Sequence, residues 1–198
     1  MKFLAFVDLH EDKKVLQKLL ERAKQEDIDF LICAGDLSQF GHNLGYVLRQ
    51  LDNLGKKVYL IPGNHESNQV FNSILINYPN CVNLHQKDLE IENHVLLGYG
   101  EGGFAREDAE FRKVAREWYG KHKEKKTILI THGPPQGTTT DFLEGNHIGN
   151  KDYRAFIERI KPQLAICGHI HENAGAIDKI GETKVINPGW EGMVIELN

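Results

Sequence analysis

The chain has 198 residues, of which 40% are hydrophobic and 26% charged, with a formal net charge of -4. That length supports one substantial core and leaves little for a second, so residues 1–198 are expected to form a single domain. The composition excludes a disordered chain, and mild acidity without a basic stripe gives no strong nucleic-acid signal.

Residues 2–7 read as a first strand that runs directly into Asp8-Leu9-His10. One positive charge and an apolar run cut off by Asp8 describe neither a signal peptide nor a membrane span, and no later stretch reaches spanning length. If this segment stays extended, residues two apart share a side, so Asp8 and His10 reach one cation together. Residues 11–26 place Val15, Leu16, Leu19, Leu20 and Ala23 on one helical face. Residues 30–34 form a wholly apolar strand that ends in Gly35 and a lone carboxylate, Asp36. Two carboxylate oxygens at the end of a core strand suit one cation or a pair.

Leu44, Val47, Leu48, Leu51 and Leu54 predict a second helix stopped by Gly55, and residues 58–61 a third buried strand. The strand enters Pro62-Gly63-Asn64-His65-Glu66, a tight turn carrying three polar side chains. Ser67 caps a helix whose apolar face is Val70, Phe71, Ile74 and Leu75. Short strands at 81–84, 89–91 and 95–97 are expected to pair antiparallel, and 98–108 reads as a glycine-rich loop, a rim or lid. A helix over 109–122 precedes a fourth strand at 127–130, which leads to His132 and a long loop, 133–151. Tyr153, Phe156, Ile157 and Ile160 mark the last helix, closed by Pro162. The fifth strand, 164–167, leads to Gly168-His169-Ile170-His171, and three short antiparallel strands follow, at 175–180, 184–186 and 193–197. Cys33, Cys81 and Cys167 lack paired metal-ligand spacing and read as reduced core thiols of a cytoplasmic protein.

Five strands therefore end within three residues of a metal-ligand type: Asp8, Asp36, Asn64, His132 and His169. Ligands of open α/β sheets collect at the carboxyl ends of the strands. Any one of these residues alone is ordinarily a turn residue, a cap or a surface group, but five together are hard to explain by packing. Nitrogen and oxygen donors without thiolates suit Mn, Fe, Zn, Co or Ni.

Taken in order, Asp8-Leu9-His10, Gly35-Asp36, Gly63-Asn64-His65-Glu66, Thr131-His132 and Gly168-His169-Ile170-His171 resemble the calcineurin-like metallophosphoesterase family. Asn187-Pro188-Gly189 resembles its closing turn, and His132-Gly133-Pro134-Pro135 is similar to the compact phosphodiesterase-type members. Glu11, after the first His block, and Trp190, after the closing turn, depart from the small residues common there. The resemblance implies a four-layer αββα sandwich of two mixed β-sheets flanked by helices. It implies two divalent cations, one held by Asp8, His10, Asp36 and His171, the other by Asp36, Asn64, His132 and His169, with Asp36 bridging.

Such a pair acidifies a shared water and neutralises charge on a phosphoryl group during in-line attack. His65 stays free of the metals to protonate the leaving oxygen or steady the transition state, so the catalytic roles fall to His65, Asn64 and Asp36. The expected activity is hydrolysis of small-molecule or nucleotide phosphodiesters. One alternative is a phosphomonoesterase or protein phosphatase, for which Arg106, the one arginine of the glycine-rich loop, would supply a cationic contact. The other is a catalytically silent binding scaffold, which should show gaps in the ligand set; this chain shows none. Glu66 reads as an acidic residue favoured at a helix start, and His85, His94 and His122 as surface groups. His42 and His147 lie in loops near motifs. Phe104 and Trp190 read as rim or core packing, with stacking on a base or aromatic leaving group as the functional alternative.

Overall fold

Alternation along the buried strands sets the layering. In β1 (Lys2–Phe6), Phe3 and Ala5 face one core while Leu4 and Phe6 face another, and all four are buried. The computed structural model describes residues 1–10, 12–25 and 27–198. In it β1 lies beside β2 (Phe30–Cys33), followed by β3 (Lys57–Leu60) and β4 (Cys81–Asn83), all parallel. The second sheet holds β5 (Lys87–Ile91), β6 (His94–Tyr99), β7 (Lys126–Thr131), β10 (Leu164–Ile166), β11 (Ile177–Ile180) and β12 (Thr183–Ile186). Its order is β11-β12-β10-β7-β6-β5, with β12, β10, β7 and β6 parallel and the two edge strands antiparallel. β8 (Phe142–Leu143) and β9 (Asn146–His147) form a small hairpin within the 133–151 loop, and β13 (Met193–Glu196) closes the first sheet antiparallel to β1.

Three apolar clusters separate four layers. Helices α1 (Lys13–Gln25), α2 (Leu44–Asp52) and α3 (Asn68–Leu75) pack on the first sheet through Leu16, Leu19, Val47, Leu48, Leu51 and Phe71. Between the sheets lie Phe3, Ala5, Val7, Phe30, Ile32, Leu96, Ile128, Ile130 and Ile166, with the rings of Phe3 and Phe30 stacked at 5.2 Å. Helices α4 (Ala109–His122) and α5 (Lys151–Ile160) cover the second sheet through Phe111, Trp118, Tyr153, Phe156 and Ile157. This is the αββα sandwich that the resemblance implied. Each fully buried Leu, Ile or Phe contributes about 1.5–3 kcal/mol, so the middle cluster holds the parallel strand ends of both sheets at one rim.

Several local expectations change. β4 takes a parallel partner, β3, and β6, while pairing antiparallel with β5 as expected, takes a second and parallel partner in β7, because each lies beside a core strand. Asp12 caps α1, its Oδ1 accepting the N–H groups of Lys14 (2.9 Å) and Val15 (3.0 Å). Glu11 and the helix end expected at Glu26 lie outside the described residues. His85, His94 and His122 are buried and not on the surface: His85 Nδ1 accepts from the Gly100 N–H, His94 pairs with Gln163, and His122 pairs with Asp88.

Candidate metal centre

Asp8 and His10 follow β1, Asp36 follows β2, Asn64 and His65 follow β3, His132 follows β7, and His169 and His171 follow β10. Because these strands are parallel within each sheet and the sheets are stacked, all eight side chains reach one rim. The His169 N–H stitches the two sheets there by donating to Asp8 Oδ2 (2.9 Å), and within the second sheet the Gly168 N–H donates to the carbonyl of His132 (2.8 Å).

Asp8 and His10 do not meet by strand alternation. Both have left-handed backbones, φ 55° and 45°, as do Asp36 (53°) and His169 (72°), so the chain coils at each strand end to aim its ligand atom. Each such conformation costs a non-glycine residue about 1–3 kcal/mol, and their clustering marks a site that the surrounding fold over-determines. Gly35, at φ 105°, meets the same need without a side chain: a Cβ there would lie 2.7 Å from both Gly63 Cα and His132 Nδ1.

Asp36 is the hub. Its Oδ2 lies 3.4 Å from His132 Nε2, 3.8 Å from His10 Nε2 and 3.9 Å from His65 Nε2, while Oδ1 accepts the His65 N–H at 3.0 Å. His132 Nδ1 donates to the Ala34 carbonyl (2.9 Å), which fixes the ring and turns Nε2 toward Asn64 Oδ1 at 2.8 Å. His10 Nε2 and His171 Nε2 are 3.0 Å apart, and Asp8 Oδ1 is 4.0 Å from His171 Nε2. Two groups thus offer ligand atoms within 4.8 Å of one another, Asp8-His10-His171 and Asp36-His132-His169; a third, His10-Asp36-His65, overlaps them.

Charge balance in this cluster is poor without a cation. Burial raises the Asp8 carboxyl to about 6, an effect that His132 opposes and Asp36 reinforces. Burial works against the Asp36 carboxylate too, but the hydrogen bond and charge of His132 outweigh it and bring Asp36 down to about 2. Burial likewise opposes a charged His132, yet Asp36 lifts it to about 9. Burial, with His132 nearby, lowers His169 to about 4, and burial lowers His10 despite Asp36. Asp8 Oδ1, His10 Nδ1, His65 Nδ1 and His169 Nε2 are buried with no hydrogen-bond partner. Neutral imidazoles, crowded carboxylates and orphaned buried atoms are a donor set that fits divalent cations. Cys33 lies below, its thiol pushed far up by burial and donating to the Gly35 carbonyl, and is no part of the donor set.

Glu66 does not act as a helix-start charge. It is buried, and α3 begins after Ser67, whose hydroxyl caps the Val70 N–H. Glu66 Oε1 accepts the Ser38 N–H (2.7 Å) and hydroxyl (2.9 Å), and Oε2 accepts the N–H groups of Gly63 (3.0 Å) and Asp36 (3.2 Å). It clamps two strand-end loops together; an acidic residue one position after His65 was the only sequence signal. Burial, and then the Asp36 charge, raise its carboxyl, while the Ser38 and Gly63 donors hold it down.

The remaining candidates scatter. Arg106 is exposed and joins its loop to α5 through its carbonyl, which accepts the Lys151 N–H. His42 is exposed, and His147 points its Nδ1 at the buried Asp141, 2.7 Å away. Phe104 and Trp190 are both exposed, 4.1 Å from the His169 ring and 6.4 Å from the His171 ring respectively. A cavity of about 340 Å³ opens beside the cluster, lined by Gly63, Asn64, His65, Glu66, Ser67, Glu101 and Gly102.

Comparison with known proteins agrees with this geometry. The family model described as calcineurin-like phosphoesterase matches residues 1–173. Over 60 residues the chain is 40% identical to the UPF0046 protein K07C11.7 of Caenorhabditis elegans, a match covering 30% of this chain and 20% of that protein. The chain thus corresponds to about a fifth of that curated relative's length. The structure of TT1561 of Thermus thermophilus superposes with a TM-score of 0.73 at 17% identity, covering 96% of this chain and 90% of that one. Phosphopantetheinyl hydrolase (PptH) of Mycobacterium tuberculosis gives a TM-score of 0.64 at 14% identity, over 95% and 88% of the two chains. At these identities the structural likeness shows the fold alone.

Proposed function

The chain belongs to the calcineurin-like phosphoesterase family, and from that premise we propose that it is a dinuclear metal-dependent phosphodiesterase acting on small-molecule or nucleotide diesters. The observation that carries the reading is that the Asp8-His10-His171 group adjoins Asp36 through His10 while Asp36 itself belongs to the group with His132 and His169, with Asp8 Oδ1 and His169 Nε2 orphaned in the one and the other. Asp8, His10 and His171 together with Asp36 would hold one cation, and Asn64, His132 and His169 together with Asp36 would hold the other. Manganese is the first candidate of the Mn, Fe, Zn, Co and Ni set. When bound, such a pair supplies an activated water and offsets charge growing on the phosphoryl group.

The chain's own residues do the rest. Asp36 keeps its carboxylate ionised and shared, with the His65 N–H and Glu66 fixing its backbone and one oxygen. Asn64 places its amide beside His132 at the mouth of the cavity, where it orients a phosphoryl oxygen. His65, with Nε2 turned into the cluster and its ring partly exposed, donates a proton to the departing oxygen.

The preference for a diester rests on charge. Among the described residues lining the cavity none is Lys or Arg, and Glu101 is a carboxylate there. A monoester dianion would find no extra cation and a nearby negative charge, whereas a diester carries a single negative charge. Three free, buried cysteines fit a reducing compartment, so a cytoplasmic substrate is expected; among the described residues no helix is long and apolar enough to cross a membrane.

The test is an assay of purified, manganese-loaded protein on paired mono- and bis-nitrophenyl phosphates. The reading requires turnover of the diester well above that of the monoester. Metal bound without turnover of either ester overturns it, and faster monoester turnover replaces it with the phosphomonoesterase reading.

A further inference from the structure

Soluble chains bury phenyl and indole rings, and each ring left in water forgoes a favourable contribution to folding. Here Phe40 is 77% exposed, Phe104 61% and Trp190 37%. Each of the three lies against an imidazole of the metal centre. The Phe40 ring is 4.4 Å from that of His65 at a tilt of 31°, Phe104 is 4.1 Å from His169, and Trp190 is 6.4 Å from His171. The rings therefore stand around the rim of the cluster while presenting open faces to solvent.

Phe40 carries a further cost. Its backbone is left-handed, φ 53°, a conformation that bulky residues seldom adopt and that glycine would take freely. Its loop is also fastened to the hub. The Gly41 N–H donates to the Ser38 hydroxyl, and Ser38 in turn donates to Glu66, which holds the Asp36 N–H. A strained, exposed phenyl tied through three residues to the bridging carboxylate is poor for stability alone, and its position fits a role toward substrate.

We infer that Phe40, Phe104 and Trp190 form an aromatic rim that stacks on planar aromatic groups of the phosphodiester, a nucleobase being the natural case. The inference rests on the phosphodiesterase reading and names its substrate class. Phe40 stands on the His65 flank, where the leaving group departs, and Phe104 on the His169 flank, so each organic arm of a diester meets a ring. Each ring packs on a different imidazole, an arrangement that suits flat groups better than an aliphatic chain. Stacking of a base on an aromatic side chain is sequence-tolerant and changes affinity by about tenfold per ring or more.

The test compares binding of AMP and ribose 5-phosphate to manganese-loaded protein by calorimetry, in wild type, Phe40→Gly and Phe104→Leu. AMP should bind at least about tenfold more tightly than ribose 5-phosphate, and, since AMP carries a single base, at least one of the two substitutions should remove about tenfold of that preference while leaving ribose 5-phosphate unchanged. Phe40→Gly should not lower the melting temperature, since it relieves the left-handed strain and removes a ring that is mostly in water. Equal affinities for the two ligands, tighter binding of hexyl phosphate than of AMP, or variants that weaken both ligands alike would overturn the rim. Because the readout is binding, a protein that prefers AMP yet hydrolyses no diester keeps the rim and loses the proposed reaction. One that hydrolyses diesters without preferring AMP loses the rim alone.

Discussion

Glu66→Gln separates the scaffolding of the metal centre from its chemistry. Four donors converge on the Glu66 carboxylate, two on each oxygen, and none of them belongs to a cation ligand's side chain. A glutamine keeps one of the two oxygens. If its amide nitrogen faces Asp36 and Gly63, two buried N–H groups lose their acceptor, at about 1–3 kcal/mol each. If the nitrogen faces Ser38, the hydroxyl can turn and accept, leaving only the Ser38 N–H unsatisfied. The second orientation is the cheaper, so the expected loss is about 1–3 kcal/mol, and the Asp36 anchor survives in weakened form. With a urea dependence of about 2 kcal/mol per molar, the unfolding midpoint falls by about 0.5–1.5 M at constant slope. Manganese affinity should fall about 10–100-fold, as for other residues that orient ligands without touching the metal. Urea unfolding of metal-free protein, paired with manganese titration of the folded variant, reads both quantities. An unchanged midpoint together with full metal affinity would refute the clamp.

His65→Ala should lower kcat about 10²–10⁴-fold and abolish the limb of the pH-rate profile that reports a required acid, with metal content unaltered; an unaltered profile contradicts the proton-donor role. Metal binding should also release protons. His132 stands at about 9, above its ordinary 6.5, so at pH 7.5 the metal-free protein holds a proton there that a cation must displace. The sign for stability follows: this group's contribution is complete below 6.5 and is lost as pH rises through about 9, so added metal stabilises the fold increasingly across that window. Calorimetric titration in Tris and in HEPES should give heats that differ, for about one proton per chain, by the difference between the two buffers' ionisation enthalpies, and identical heats would show that no proton leaves.

The convergence of the candidate ligands on one rim was legible because they sit in contiguous blocks immediately after apolar runs, and the strand order of a parallel sheet carries such blocks to one edge. Long-range partners were not. His122 reads as surface until Asp88, 34 positions earlier, is seen to accept from it, and His94 until Gln163 is placed beside it. Glu66 looked like a helix-start residue because its donors lie 28 and 30 positions back in Ser38 and Asp36. The parallel pairing of β4 and β6 likewise depends on strands far away in the chain, which local alternation does not encode. Asp8 and His10 meet as expected but through left-handed backbones, a conformation that neither residue type announces. Phe40 gave no periodic signal, lying between a strand-end motif and a helix, and its importance is visible only in its exposure, its φ angle and its neighbour.

The most direct test is the number of manganese ions retained per chain, counted by elemental analysis and located by anomalous scattering, in wild type and in Asp36→Asn. Two ions flanking Asp36, one among Asp8, His10 and His171 and one among Asn64, His132 and His169, are the predicted result, with at most one ion retained by the variant. A single ion in wild type, or two ions undisturbed by the loss of the Asp36 carboxylate, would contradict the shared centre.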